Sequence, residues 1–266
     1  MNYNLIDNPL FSRSLPLYGE GGIRRLTAAK VAIFGLGGVG AYAAEALARA
    51  GIGTFLLVDG DRIEPSNLNR QLYALHSTLG HTKTELARER ILDINPEAQC
   101  TIHSAFVTAD EIEQVLALQP DIDLILDAID SIKTKVALIT KAVRAGIPIF
   151  SSMGAGFRLD PTRVRCTDLA RTHGDKLARV MRRELKAEGI IHLPVVFSDE
   201  PARSDQQLKA TANTELLAST AGMGTSAVKS TGAQVQASSS LVPPAFGLAL
   251  ASLALQFLVQ EEVCHE

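Results

Sequence analysis

The strongest constraint on the fold lies between Lys30 and Gly40. An apolar strand, Lys30–Phe34, runs without a linker into a glycine turn, and an alanine-rich helix over 39–50 follows at once. Gly35, Gly37 and Gly40 keep the spacing G-x-G-x-x-G. In such a turn the first glycine allows a tight reversal, the second lets backbone approach a phosphate, and the third lets the helix pack closely on the strand. The free N–H groups of the helix N-terminus then face an anion. A second strand, Thr54–Val58, ends at Asp59, where a carboxylate can accept hydrogen bonds from ribose hydroxyls. These residues predict a Rossmann-like nucleotide site, and alone they would suit a dehydrogenase.

The continuation narrows the chemistry. After Asp59 the chain reads Gly-Asp-Arg-Ile-Glu-Pro-Ser-Asn-Leu-Asn-Arg-Gln, ending at Gln71. A dinucleotide fold has no general need for this polar run, whereas a site that handles a triphosphate does. Arg70 offers a planar fork of donors to phosphate oxygens, and Asn67, Asn69 and Gln71 add neutral donors and acceptors beside it. Farther on, Thr82 and Glu85 form a capping box that places Lys83 at the first position of a helix. A cation at the positive end of a helix is unfavourable unless an anion is present, so Lys83 reads as a phosphate contact. A buried strand, Asp123–Leu126, delivers Asp130 and Ser131 to the same sheet edge as Gly35 and Asp59. A carboxylate beside a triphosphate is usually bridged by Mg²⁺, since like charges would otherwise repel. Asp127 reads as a site residue or as a structural carboxylate bonding loop amides.

With these residues in view, the chain resembles the ubiquitin-activating-enzyme-like, or ThiF-type, adenylyltransferases, which carry D-x-D-x-x-x-x-S-N-L-x-R-Q after a glycine-rich turn. Asp59, Asp61, Ser66, Asn67, Leu68, Arg70 and Gln71 supply that pattern here. The resemblance implies that ATP is bound by Gly35, Gly37, Gly38, Gly40, Asp59, Asp61, Asn67, Asn69, Arg70, Gln71, Lys83, Asp130 and Ser131. It implies catalytic roles for Arg70, Lys83 and Asp130, with Asp130 holding Mg²⁺. It also implies a homodimer in which Arg13 reaches the nucleotide of the other subunit; a solvated arginine is the alternative reading.

Two absences separate the branches of that family. The chain has no C-x-x-C pair, so no structural zinc is expected. Of the cysteines, Cys100 and Cys166 fall in predicted strands and read as buried and structural, so a thioester-forming cysteine in a mobile loop is not expected either. The blocks GAGFRLDPTRVRCTDLARTHGDKLARVMRRELK and VVFSDEP lie outside the nucleotide site and resemble the tRNA threonylcarbamoyladenosine dehydratase branch. That resemblance implies an ATP-dependent enzyme acting on tRNA. It would adenylate the threonyl carboxylate of threonylcarbamoyladenosine in the anticodon loop, and the adjacent nitrogen would displace AMP with net loss of water. Some members have a cysteine in the C-terminal region linked to sulfur-transfer partners; the cysteine positions here do not support one. Activation of a sulfur-carrier protein's C-terminus, in a molybdopterin or thiamine pathway, is the second reading. A nucleotide-binding module without turnover is the third.

The rest of the chain sets bounds. With 266 residues, 46% hydrophobic and 21% charged, it can bury a sizeable core, and global disorder is not expected. A net charge of −3 gives no global pull towards nucleic acid, so a polyanion would need a local basic patch. Three scattered cysteines and an N-terminus without a signal pattern point to a cytoplasmic location. The segment LTAAK reads as the end of a short helix feeding the first strand, and Cys100–Phe106 and Ile147–Ser152 read as further strands. Strands and helices thus alternate from Lys30 to Ser152, which predicts an α/β, mostly parallel sheet with helices on both faces. Strands at Thr162–Thr167 and Leu193–Ser198 predict a C-terminal extension that continues the sheet. The organisation read from this is a helical lead 1–29, an ATP-binding core 30–156 and a substrate or dimer region 157–266, in one continuous domain.

Within the last region, Asp175 opens a helix with an apolar stripe of Leu177, Val180, Met181 and Leu185. Lys176, Arg179, Arg183 and Lys186 share another face, suited to an RNA backbone or simply to water. Glu200–Ser240 reads as a long loop or mobile insertion. The uncharged segment 241–259 is just long enough to cross a bilayer, but Pro243 and Pro244 shorten the usable helix. A buried or dimer-facing helix is therefore expected, with membrane association as the alternative.

Overall fold

The computed structural model describes residues 8–203 and 237–260. Among these residues seven strands build one sheet: β1 (Lys30–Phe34), β2 (Thr54–Val58), β3 (Gln99–His103), β4 (Leu124–Asp127), β5 (Ile149–Ser152), β6 (Val164–Asp168) and β7 (Pro194–Ser198). Their order is β3-β2-β1-β4-β5-β7-β6, and every pairing is parallel except β6 against β7. The sheet is thus α/β and mostly parallel, with the expected C-terminal continuation.

Sequence dictates the layering. The runs KVAIF, TFLLV and LILD are apolar at almost every position, which suits strands covered on both faces. Successive side chains alternate between the two faces. Val31, Ile33, Phe55 and Leu57 point to the layer formed by α1 (Leu15–Ala28), α2 (Gly40–Ala50) and α3 (Lys83–Ile94). Ala32, Phe34, Leu56 and Val58 point to the opposite layer of α4 (Ile112–Leu116), α5 (Ile132–Arg144) and α6 (Lys176–Ala187). The last helix, α7 (Val242–Leu258), joins the first layer and packs along α2 through Phe246, Leu250 and Ala254. Gly247 permits that approach, since a Cβ there would sit 2.3 Å from the Val39 carbonyl oxygen. One face of α7 is therefore core, as expected, while Leu248 on the other stays exposed. No described helix is long and apolar enough to cross a membrane.

Several expectations need correction. The lead contains a full helix, α1, interrupted at Gly19 (φ 68°), rather than the tail of a short one. The strand expected over Cys100–Phe106 ends at His103, because β2 ends at Val58 and no paired backbone continues beside it. Residues 104–107 turn away and become available to the site. Two strands start two residues later than expected: β5 after Pro148, and β6 after a turn that Asp160 caps by accepting from Thr162 N. Cys166, expected buried, is exposed, because β6 is the edge strand of the sheet. Cys100 is half-buried, and Cys264 lies outside the described residues, as do 204–236 of the expected long loop.

Candidate functional site

The C-terminal ends of β1, β2 and β4 open onto a cavity of about 540 Å³, within the range of small-molecule sites. Its floor is the glycine turn. Gly35 adopts φ 89°, and a Cβ there would lie 2.6 Å from the Ala128 carbonyl oxygen, so both conformation and space require glycine. Gly40 is tighter still: its Cβ would meet the Gly35 carbonyl oxygen at 1.8 Å. Gly40 thus serves the packing of the turn and is not on the cavity wall, whereas Gly35, Gly37 and Gly38 are. Among the described residues, the N–H groups of Gly37, Gly38 and Val39 donate to no protein acceptor. They form the anion-seeking end of α2.

Asp59 stands at the end of β2 with both oxygens already engaged. Oδ2 accepts from Leu36 N (2.6 Å) and Oδ1 from Asp61 N (2.8 Å), which ties the glycine turn to the following loop. Burial pushes the Asp59 carboxyl above its usual range, against the opposing pull of Lys83 and the two amides. Each oxygen keeps a second lone pair for a ligand donor. Lys83 Nζ lies 2.6 Å from Asp61 Oδ2 and 3.9 Å from Asp59 Oδ1, with its side chain only 5% exposed. The misplaced cation at the start of α3 is therefore answered within the protein, while Lys83 still lines the cavity.

The polar run forms one wall. Asn67 is buried and accepts from Glu64 N through Oδ1 (3.2 Å), so part of its capacity holds a turn. Arg70 Nη1 donates to Ser66 O (2.9 Å) and Asn69 Oδ1 (2.8 Å), which holds the guanidinium, while the Arg70 Cγ lies beside Gly38. Asn69 lies off the cavity wall and reaches Ser238 O through Nδ2 (3.0 Å). Gln71 faces the cavity with Oε1 buried and unpaired among the described residues, an acceptor that a ligand donor would satisfy.

Opposite stand Asp130 and Ser131, both exposed on the cavity wall. Asp130 has no ion-pair partner among the described residues. Arg13 is exposed and is not on the cavity wall.

Sequence reading left Asp127 open between two roles and missed its partner and the second support. Asp127 and Lys135 form a fully buried ion pair at 2.7 Å. Lys135 Nζ also reaches Ser152 O (3.0 Å) and Ser151 Oγ (3.3 Å), while Asp127 accepts from Ser151 Oγ (2.6 Å) and Ile129 N (3.1 Å). Asp127 is thus the structural carboxylate, and it holds the loop that carries Asp130. A second buried pair, Arg158 with Asp175 (3.0 Å), works on the adjacent loop. Arg158 donates to the carbonyls of Gly154 and Gly156 on the cavity wall, and Asp175 caps α6 by accepting from Ala178 N. Phe106 was read as strand, yet it stands 74% exposed at the rim, over Gly60.

Taken together, among the described residues the site brings free amides, a held guanidinium, a tethered carboxylate and an unpaired carboxylate around one cavity. A model of the ThiF family matches residues 11–265. The tRNA threonylcarbamoyladenosine dehydratase of Bacillus subtilis (strain 168) is 44% identical over 191 residues, covering 71% of this chain and 74% of that protein. The protein of the same description from Escherichia coli (strain K12) is 40% identical over 198 residues, covering 71% and 73%. Among solved structures, the E. coli tRNA N6-threonylcarbamoyladenosine dehydratase in complex with ATP superposes with a TM-score of 0.78 at 34% identity, covering 93% of each chain.

Proposed function

Starting from the fact that the chain belongs to the ThiF family, we propose that it is an ATP-dependent tRNA threonylcarbamoyladenosine dehydratase. The observation that carries this reading is the likeness to the ATP-bound E. coli enzyme over 93% of the chain, which takes in the strands and helices beyond the nucleotide site. In the first step a threonyl carboxylate oxygen attacks the α-phosphorus of ATP and pyrophosphate leaves. In the second, the adjacent nitrogen attacks the activated carbonyl carbon and AMP leaves, so that the ring closes with net loss of water. An intramolecular nucleophile needs no enzyme thiol.

The residues divide this work. The amides of Gly37, Gly38 and Val39 and the Arg70 guanidinium take the phosphate oxygens, where fixed donors stabilise charge that develops at the α-phosphorus. Asp59, immobilised by two amides, takes the ribose hydroxyls, and Lys83, held by Asp61, extends the positive field. Asp130 suits Mg²⁺, a cation that usually keeps several waters and takes only one or two carboxylates plus phosphates. Bound there, Mg²⁺ would offset triphosphate charge. In a homodimer Arg13 would add its charge from the partner subunit, and the enzyme would act in the cytoplasm.

The test is to incubate the protein with ATP, Mg²⁺ and tRNA bearing threonylcarbamoyladenosine, then digest and weigh the nucleosides. A species lighter by one water, with matching AMP release, is expected. An unchanged nucleoside alongside ATP–pyrophosphate exchange on a sulfur-carrier tail would overturn the reading.

A further inference from the structure

The cavity admits a nucleotide and a small acyl group, but its size leaves the body of a tRNA outside. A surface next to it must then hold the polyanion. Helix α6 starts at the cavity, since Leu177 lines the wall and the buried Arg158–Asp175 pair joins its first turn to the Gly154–Gly156 loop. Its buried side is Ala178, Met181 and Leu185. At about 100° per residue, Lys176, Arg179, Arg183 and Lys186 fall within roughly 80° of arc on the opposite side. All four are exposed. Glu184 and Glu188 fall off that arc, towards the flank.

Three of the four stripe residues are also without an ion-pair partner among the described residues. Several exposed arginines elsewhere have acidic partners, as in Arg24 with Glu20, Arg49 with Glu45 and Arg144 with Glu188, although Arg13, Arg62 and Arg171 have none among the described residues. On α6 only Arg183 is paired, with Glu184, and among the described residues Lys176, Arg179 and Lys186 meet no carboxylate. In a chain of net charge −3 this is a local reversal of sign. From Lys176 to Lys186 the helix rises about 15 Å, enough to meet more than one phosphate of an RNA backbone.

We propose that this face of α6 is the tRNA-backbone contact that presents the modified nucleotide to the cavity; the proposal rests on the tRNA reading above. Lys176, at the cavity end, contacts phosphate nearest the reacting nucleotide, and Lys186 contacts it farthest away. These contacts are electrostatic and independent of base sequence.

The experiment measures the affinity of the full chain for tRNA bearing threonylcarbamoyladenosine across a salt series. The variant Lys176→Gln/Arg179→Gln/Lys186→Gln is compared with the unaltered protein and with Arg24→Gln, which removes a charge already paired. For the triple variant the slope of log affinity against log salt should fall in magnitude by about 2 to 3, with an affinity loss of about tenfold or more at low salt. Binding of a non-hydrolysable ATP analogue should be unchanged. Should the triple variant lose analogue binding, the single variants decide, each expected to lower the slope by about 1. An unaltered slope in a protein that still converts the modified nucleoside overturns this proposal alone and leaves the face to water or to an acidic protein. An unaltered chain that neither binds nor converts the tRNA overturns the functional reading, and this proposal with it.

Discussion

Removing Asp127 should cost far more than its distance from any ligand suggests. Lys135 and Asp127 are both 0% exposed, and the ammonium has three acceptors: the carboxylate, Ser152 O and Ser151 Oγ. Taking away the carboxylate leaves a charge in a medium that cannot hydrate it, and breaking a buried pair in this way costs about 3–5 kcal/mol. Set against a total stability of about 5–15 kcal/mol, Asp127→Ala removes a large share of the margin. Replacing both partners by apolar groups of similar volume, Asp127→Leu with Lys135→Met, removes the desolvation cost together with the attraction and is often near neutral. The double variant should therefore be more stable than either single variant. Urea unfolding followed by circular dichroism reads this as a change in midpoint at constant slope. An Asp127→Ala cost under about 1 kcal/mol, or costs that add across the cycle to within about 0.5 kcal/mol, would refute the reasoning. The double variant should nonetheless bind ATP more weakly, because the Ile129 amide loses its acceptor and the loop carrying Asp130 loses its anchor.

Two glycines three residues apart should fail differently. Gly40→Ala forces its methyl to within 1.8 Å of the Gly35 carbonyl oxygen and should destabilise the fold by about 1–3 kcal/mol. Gly37→Ala meets only Gln71 Nε2 at 3.7 Å, so it should leave the melting temperature nearly unchanged and weaken ATP binding instead. Asp130→Ala should abolish AMP formation with an unchanged unfolding curve; unaltered turnover would remove Asp130 from the mechanism. Burial pushes the Glu45 carboxyl up, but Arg90 and Arg49 overcome this and hold it below the ordinary glutamate range. A depressed folded value gives stabilisation that is complete above the unfolded value, about 4.3, and is lost as pH falls through the folded one. The stability gap between the unaltered chain and Glu45→Gln should accordingly shrink on acidification, and a constant gap would count against the pairing. In iodoacetamide labelling at about pH 8, read by peptide mass spectrometry, exposed Cys166 should react before Cys100, whose thiol burial pushes up to about 11.

What could be read in the sequence was whatever a short stretch of chain determines by itself. Gly35 and Gly40 answer to contacts within the turn or with the next loop, so their spacing alone announced them. The apolar strands β1, β2 and β4 announced two-sided burial in the same way. Lys83 was placed correctly by its capping box, but its partner was hidden, because Asp61 comes beside it only through the single bridge between Arg62 and Thr82. Lys135 was invisible for a stronger reason. A lysine on an amphipathic helix reads as surface, and only the pairing of Asp127 with Ser151 across β4 and β5 creates the buried socket into which it points. Cys166 was misread by the converse error: a strand pattern does not say whether the strand lies at the edge of the sheet. The nucleotide end of the site is thus encoded locally, in motifs, whereas the supports that hold Asp130 and the Gly154–Gly156 loop are encoded in strand register and in pairs far apart along the chain. Substitutions at Lys135 or Arg158 should then impair the reaction without touching a motif residue, and a search by motif alone would overlook them.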